Sequence, residues 1–369
     1  MKIAKVDLIC LNRTGYRAPH NLSQPIDHPQ HIRNRTNDTS HTNSELTMDE
    51  IDWTSPLTYL PLLPALVILY RIYSRTMGGK TKNKAATALV TLPNGMSVYS
   101  HQKGETEFLY KEVWEQREYA HKKFSCYDKP NAVIFDVGAN IGMFSMFAAK
   151  ECAPHNITLH SFEPMPQIHA LCQANVTKHC AANAAASVHR LGLSNKAGEA
   201  TFNFHPNFSL HSSGVDDFEA RRTERLRTDL PALLADMEDK KKVPWWVACL
   251  PRCCVLRMGS CMISKLTESV KVTVELDTVS AIIEKFGIDC IDLLKVDVEG
   301  CEEMVLEGIA KQDWKKIQHA TLEVEDFAAC KRVTELLESK GFVVESEASE
   351  RKANARVSSE VSQVWAWRE

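Results

Sequence analysis

From about Leu92 to the C-terminus, short apolar runs alternate with stretches of helical periodicity. Residues 132–137, 157–162 and 291–296 read as strands; 143–149, 167–177 and 281–286 read as helices. Near the end, a run at 320–324, a helix over 327–340, and runs at 342–344 and 364–367 continue the rhythm. Gly341 stands where a helix C-terminal glycine would. Strands alternating with helices predict an α/β fold, a doubly wound parallel sheet covered by helices on both faces. No internal repeat is apparent. Residues 209–269 break the pattern. A charged helix over 216–242 carries Phe218, Leu226, Leu230, Leu233 and Met237 on roughly one side. A basic, Trp-containing segment follows, with six Lys/Arg and no acidic residue between 240 and 265. The whole is expected to be an insertion into the α/β domain.

The first 52 residues differ in kind. Between Asn12 and Asn43 the chain is mostly Asn, Thr, His, Ser, Pro and Arg, and it cannot bury enough apolar surface to offset its ordering entropy. It is expected to be disordered. Four N-x-S/T sequons fall there, at Asn12, Asn21, Asn34 and Asn37, as such composition generates by chance. Eighteen uncharged residues then lie between Asp52 and Arg71, near the lower limit for crossing a hydrocarbon core of about 30 Å. Trp53, Tyr59 and Tyr70 suit an interfacial belt, and Arg71, Arg75, Lys80, Lys82 and Lys84 follow. Pro61 and Pro64 weaken a helix there. The domain map expected is 1–52 polar and disordered, 53–73 a membrane anchor, and 90–369 the α/β domain facing the cytosol. The competing reading packs 53–70 onto the domain.

Composition narrows the classes. There are 44 Lys+Arg against 47 Asp+Glu, so the net charge is −3 and the surface as a whole is no nucleic-acid footprint. Twelve cysteines without a CxxC pair read as reduced thiols, not as a disulfide scaffold. Cys249, Cys253, Cys254 and Cys261 have poor zinc spacing, so no metal is expected; thiols beside basic sequence would suit palmitoylation.

Three segments carry chemistry. In AVIFDVGANIGMFS, residues 132–145, a strand ends at Asp136 and a turn with Gly138, Asn140 and Gly142 opens a helix. Those glycines let backbone approach a ligand closely, yet this is neither G-x-G-x-x-G nor a phosphate-gripping GK[ST] loop. An acid before the turn repels a pyrophosphate and suits a ligand bearing an ammonium. Glu163, in HSFEPMP, ends the next strand, where a carboxylate reaches the ribose hydroxyls of a nucleoside. The third segment, IDLLKVDVEGCEEMVLEGI, places Lys295, Asp297, Glu299 and Gly300 at the carboxyl end of an apolar strand, and alternation would put the first three on one face. Glu299, Glu302 and Glu303 could instead favour a helix N-terminus. Asp136, the glycine turn and Glu163 together describe a site for S-adenosylmethionine.

FDVGANIG, FEPMP, LGLSNKAGEATF and LLKVDVEGCEEMVLEG, in that order, resemble the signatures of the FkbM family of methyltransferases. The likeness runs from about Tyr110 to Glu369, and EVWEQREY, ending at Tyr119, resembles the family's leading helix, which folds over the cofactor. The resemblance implies a Rossmann-like class I methyltransferase sheet using S-adenosylmethionine. It places the cofactor on Asp136, Gly138, Asn140, Gly142 and Glu163, with Ser194 near the adenine. It implies O-methylation of a sugar, lipid-linked or polyketide-type hydroxyl, with Asp297 as base or orienting carboxylate, Glu299 next to it and Lys295 as electrostatic partner. A catalytically silent membrane adaptor of the same fold is the alternative, and such a chain would be free to lose these acids.

Overall fold

The computed structural model describes residues 88–369, except 154, 210, 211, 213, 215, 240–246, 248, 249, 325 and 349–360. The expected disordered segment 1–52 and the anchor 53–73 lie outside the described residues. Among the described residues no helix is long and apolar enough to cross a membrane.

A small hairpin, β1 (Ala88–Thr91) and β2 (Ser97–Ser100), leads into α1 (Lys103–Tyr110). A π-helical turn, Lys111–Glu115, extends α1. The domain then alternates: β3 (Ala132–Val137), α2 (Met143–Glu151), β4 (Ile157–Phe162), α3 (Pro166–Cys180) and β5 (Ala184–His189). After β6 (Gly192–Leu193) and β7 (Gly198–Phe204) come α4 (Asp216–Asp239), α5 (Arg252–Leu266) and β8 (Val270–Asp277). The chain closes with α6 (Val279–Phe286), β9 (Leu293–Val296), α7 (Glu302–Glu307), β10 (His319–Val324), α8 (Phe327–Ser339), β11 (Val343–Ala348) and β12 (Ser362–Trp367).

Seven strands form the central sheet in the order β11-β12-β10-β9-β3-β4-β5. The expected strands are present, but the sheet is mixed, not parallel throughout. β12 runs antiparallel to β10 on one side and β11 on the other. An apolar run fixes that a strand exists; its direction is set by the connection that delivers it, which periodicity does not reveal. Side chains alternate as a doubly covered sheet requires. Ile134 packs with Phe147, Leu159 and Cys172 on one face, while Phe135 and Val137 pack with Phe162, Leu294, Val296 and Leu322 on the other. Caps stop and start the helices. Thr278 accepts from the Ala281 amide at α6, Asp326 from the Ala328 amide at α8, and Gly287 and Gly341 follow the helices in the left-handed region.

A second, three-stranded sheet, order β6-β8-β7, has no counterpart in the sequence reading. It explains how the insertion is accommodated. β7 and β8 pair antiparallel from Gly198↔Leu276 to Phe204↔Val270, so residues 205–269 leave and rejoin at neighbouring strand ends. The helix expected over 216–242 is α4, and Arg252–Leu266 adds a second, which packs on it. An excursion from the end of a β-pair leaves the central sheet undisturbed.

Strand order reverses between β3 and β9. β4 and β5 extend one way from β3, and β9 and β10 the other, while all five are parallel. In open α/β sheets ligands bind at such a switch point, here the carboxyl ends of β3 and β9.

Candidate functional site

At the switch point the turns after β3 and β9 touch. The Asp297 amide donates to the Val137 carbonyl at 3.0 Å, and a Cβ on Gly138 would stand 1.7 Å from the Asp297 carbonyl oxygen. Gly138 also has φ of +77°. Both facts require glycine, so its first role is to let one turn lie on the other. Asn140 is left-handed too, at φ +47°, and its side chain accepts from the Ile141 amide at 2.7 Å. Gly142 caps α2 at φ +84°, with Val176 and Cys172 close behind, and does not face the crevice mouth alone.

Asp136 is wholly buried. One oxygen accepts from Ser145 Oγ at 2.6 Å and the other lies 3.2 Å from Lys295 Nζ. Its carboxylate therefore anchors the turn from below and holds Lys295, and its described partners belong to the protein. Lys295 is buried on β9, donates to the Gly138 carbonyl at 2.8 Å and lies 3.4 Å from Asp297 Oδ2. Burial, the largest influence, opposes its charge; the Asp136 and Asp297 carboxylates outweigh it and leave the lysine pKa raised. Two carboxylates flanking one ammonium make a buried triad across the two central strands.

Glu163, at the end of β4, is buried and accepts from the Asn140 amide at 3.0 Å and the Met165 amide at 2.9 Å. Burial pushes its carboxyl up to about 7, against the lowering effect of those two amides and Lys295. A carboxylate has about four lone-pair positions, so two amides leave room for two further donors, the number a ribose diol supplies. Ser194 follows β6 and is buried. Its amide donates to the Asp277 carbonyl, and its own carbonyl would stand 2.1 Å from a Cβ at Gly308.

Asp297 is partly open, with its side chain 24% exposed. Oδ2 accepts from the Tyr119 hydroxyl at 2.9 Å and sits beside Lys295; among the described residues Oδ1 has no hydrogen-bond partner. Glu299 departs from the expected face. The strand ends at Val296, and Glu299 and Gly300 turn left-handed, at φ +54° and +91°. Strand alternation stops with the strand, and the turn sends Glu299 to Arg222 of α4, 2.5 Å away. Glu302 is the acid that organises the turn: it accepts from the Gly300 amide at 2.9 Å and the Val298 amide at 3.3 Å. Burial raises its carboxyl to about 7. Glu303 pairs with Arg332 instead.

The structure thus brings Asp136, Gly138, Asn140, Glu163, Lys295 and Asp297 together, with Gly142 behind them and Ser194 at the β6 edge. It adds residues the sequence reading missed. Tyr119 reaches in from the segment after the π-helical turn and touches both Asp297 and Glu323 of β10. The signal for Glu323 was available: like Lys295, it is a charge inside an apolar buried strand. Of the four cysteines weighed for zinc, Cys249 lies outside the described residues, Cys253 and Cys254 are half-buried and Cys261 is exposed.

Comparison with known proteins agrees with the motif order. The family description "Methyltransferase FkbM domain" matches residues 136–344. The 31-O-demethyl-FK506 methyltransferase FkbM of Streptomyces tacrolimicus is 33% identical over 267 residues, covering 69% of this chain and 89% of its own. Methyltransferase sdnD of Sordaria araneosa is 27% identical over 268 residues, with 69% and 89% covered. Among solved structures, Methyltransferase FkbM from Methylobacillus flagellatus is 12% identical, with a TM-score of 0.35 over 64% of this chain and 44% of that one. The matched family span takes in both turns of the switch point and Glu163, and this chain belongs to the FkbM family of methyltransferases.

Proposed function

We propose that the chain transfers a methyl group from S-adenosylmethionine to a hydroxyl on a sugar, lipid-linked or polyketide-type acceptor. The observation that carries this reading is Asp297. One carboxylate oxygen is held by Tyr119 and Lys295, and the other has no hydrogen-bond partner among the described residues, on a side chain that is 24% exposed and follows the strand end packed on the Gly138 turn.

The residues fit the cofactor. Two carboxylates, Asp136 and Asp297, flank a single ammonium, Lys295, and this acidic surplus suits a cation and repels a pyrophosphate. Glu163 would take the ribose hydroxyls, the Gly138–Gly142 turn would lie against the ligand, and Ser194 would border the adenine. When bound, S-adenosylmethionine supplies a methyl group on positively charged sulfur, which leaves as a neutral thioether and needs no general acid. What remains for the protein is to align the acceptor oxygen within about 3 to 3.5 Å and remove its proton. Asp297 Oδ1 takes that proton as the O–H bond breaks. Lys295 steadies the carboxylate without touching the acceptor. Glu299, tied to Arg222, belongs to the wall between the turn and the insertion, not to the base. The relative whose name specifies 31-O-demethyl-FK506 acts, by that name, at an oxygen, which favours the hydroxyl class. The silent-adaptor alternative is disfavoured because the acids that such a chain could lose are present and mutually bonded.

The stretch 53–70 and the basic residues after it support tethering to a membrane, with the catalytic domain on the cytosolic side. Full-length protein should pellet with membranes and resist carbonate; a protein that stays in the supernatant refutes the tether.

The decisive experiment supplies purified protein with methyl-labelled S-adenosylmethionine and fractionated cell extract. Label should enter a small molecule or glycolipid through an ether linkage. Label on nitrogen or carbon, or none in any fraction while the cofactor binds, would remove the O-methylation reading.

A further inference from the structure

Tyr119 holds a single hydroxyl proton between two carboxyl groups. Its oxygen lies 2.9 Å from Asp297 Oδ2 and 2.9 Å from Glu323 Oε2. A phenol donates once, and any second short contact must be one in which its oxygen accepts. Ionisation of the tyrosine offers no escape. Burial first, then the Asp297 and Glu323 charges, push its pKa well above the ordinary value. With both carboxyls ionised, one contact would set oxygen against oxygen in a buried place, where such a defect is most costly. One carboxyl therefore carries a hydrogen.

The surroundings decide which. Asp297 has the Lys295 ammonium 3.4 Å away and is partly solvated. Glu323 is buried on β10, and the charges acting on it include Asp297, Glu299 and Glu118, all of its own sign. Carboxylate oxygens of Glu112 and Glu118, from the segment carrying Tyr119, lie within 4.8 Å of one on Glu323. Gln363 of β12 stands opposite it across the strand pair, and Lys295 lies over the Tyr119 ring, 5.3 Å from its centre. Burial first, then the Asp297, Glu299 and Glu118 charges, hold the Glu323 carboxyl well above the usual range, against the lowering effect of the Tyr119 hydrogen bond.

We propose that neutral Glu323, Tyr119 and Asp297 form a one-directional donor chain, in which Glu323 donates to Tyr119 and Tyr119 donates to Asp297, so that Asp297 meets the acceptor as an aligned carboxylate. Tyr119 and Glu323 are positioning residues. They occupy Oδ2, set the rotamer of Asp297 and leave Oδ1 for the acceptor proton. No proton in the chain has to move during transfer. The inference rests on the reading of Asp297 as the base for its catalytic consequence, but not for the protonation of Glu323.

Two measurements separate these points. Infrared spectra of the full chain without cofactor, at about pH 8, should show a carboxylic-acid carbonyl stretch that Glu323→Gln removes and Tyr119→Phe shifts. An identical spectrum in wild type and Glu323→Gln would mean an ionised Glu323 and overturn the chain. Loss of the band on adding magnesium would instead make the Glu112–Glu118–Glu323 cluster a cation site, and overturn it too. In turnover, Tyr119→Phe and Glu323→Leu should lower kcat by about tenfold or more with cofactor affinity held within a few-fold. Glu323→Gln should restore most of the Glu323→Leu loss, since its amide can donate to Tyr119 as the acid does. If the band behaves as expected but Asp297→Asn leaves turnover intact, the chain stands and the base assignment falls.

Discussion

The switch-point mouth and the β7–β8 excursion are built by opposite rules. At the mouth, every element is a buried strand end or a turn locked on another turn. Polar groups there satisfy one another at short range: Asp136 with Ser145 and Lys295, Glu163 with two amides, Asp297 with Tyr119. In the excursion, two helices hang from a strand pair and are fastened to the rest by isolated polar contacts. Arg222 holds Glu299, and Ser209, just beyond β7, donates to both oxygens of Glu105 on α1. The first arrangement resists change because each part fixes several others. The second varies without endangering the fold. The proposed chemistry thus sits in the interlocked part, and the insertion is joined to its rim through the Arg222–Glu299 pair.

The contrast breaks most violently at Gly138 and Lys295. Gly138→Ala should prevent folding or abolish the site, because its Cβ would fall inside the Asp297 carbonyl. Lys295→Met leaves Asp136 buried beside Ser145 alone, and breaking a buried ion pair costs about 3–5 kcal/mol. Thermal denaturation should show this as a large fall in Tm. A Lys295→Met protein as stable as wild type would mean that the triad is no structural anchor.

Asp297→Asn separates chemistry from scaffolding within the same mouth. Turnover should fall by about 10² or more, with S-adenosylmethionine affinity within a few-fold, in calorimetry and steady-state assays on one preparation. Unchanged turnover would return Asp297 to a purely structural acid.

Sequence reading did well where burial writes itself into the chain. β3 and β9 are apolar runs that carry Asp136 and Lys295 one residue before their carboxyl ends, because a strand buried on both faces has no polar side to blur it. It failed where geometry depends on partners distant in sequence. Tyr119 and Glu323 stand 204 residues apart, and nothing local announces that they share a hydrogen bond. β6 is two residues long, so the small sheet leaves no periodic trace. Strand alternation continued past Val296 would set Glu299 beside Asp297, but the strand stops there and Glu299 and Gly300 turn left-handed, which no local pattern announces.

Cofactor binding sharpens the comparison through a proton. Glu163 titrates near 7, not near 4.5, because the fold prefers its neutral form. Its contribution to stability is therefore present at low pH and fades as pH rises through about 7. Ribose hydroxyls donating to the carboxylate favour the ionised form, so S-adenosylmethionine should bind with proton release and weaken as pH falls below about 7. Calorimetry in buffers of different ionisation enthalpy would measure the release, and Glu163→Gln should abolish it. Glu163→Ala should weaken binding about tenfold, on the order of 1.4 kcal/mol. A release that persists in Glu163→Gln would point to Glu302, which titrates in the same window.

The smallest effect belongs to the rim. Arg222 and Glu299 have side chains 25% and 22% exposed, so solvent screens the pair and its removal should cost no more than about 1 kcal/mol. Arg222→Ala should accordingly leave Tm and S-adenosylmethionine affinity close to wild type. The insertion would nonetheless lose its fastening to the Glu299 turn that follows Asp297, and on the proposed reading the acceptor would bind between the two. The expected signature is a rise of a few-fold in KM for the acceptor, larger than any change in kcat, since a loosened wall costs binding more than proton removal. Charge reversal at both positions, Arg222→Glu with Glu299→Arg, should recover part of that loss. An Arg222→Ala enzyme with wild-type KM would mean that α4 packs against the mouth without shaping it. A fall in kcat as large as that of Asp297→Asn would erase the distinction between the two regions and make the insertion part of the chemistry.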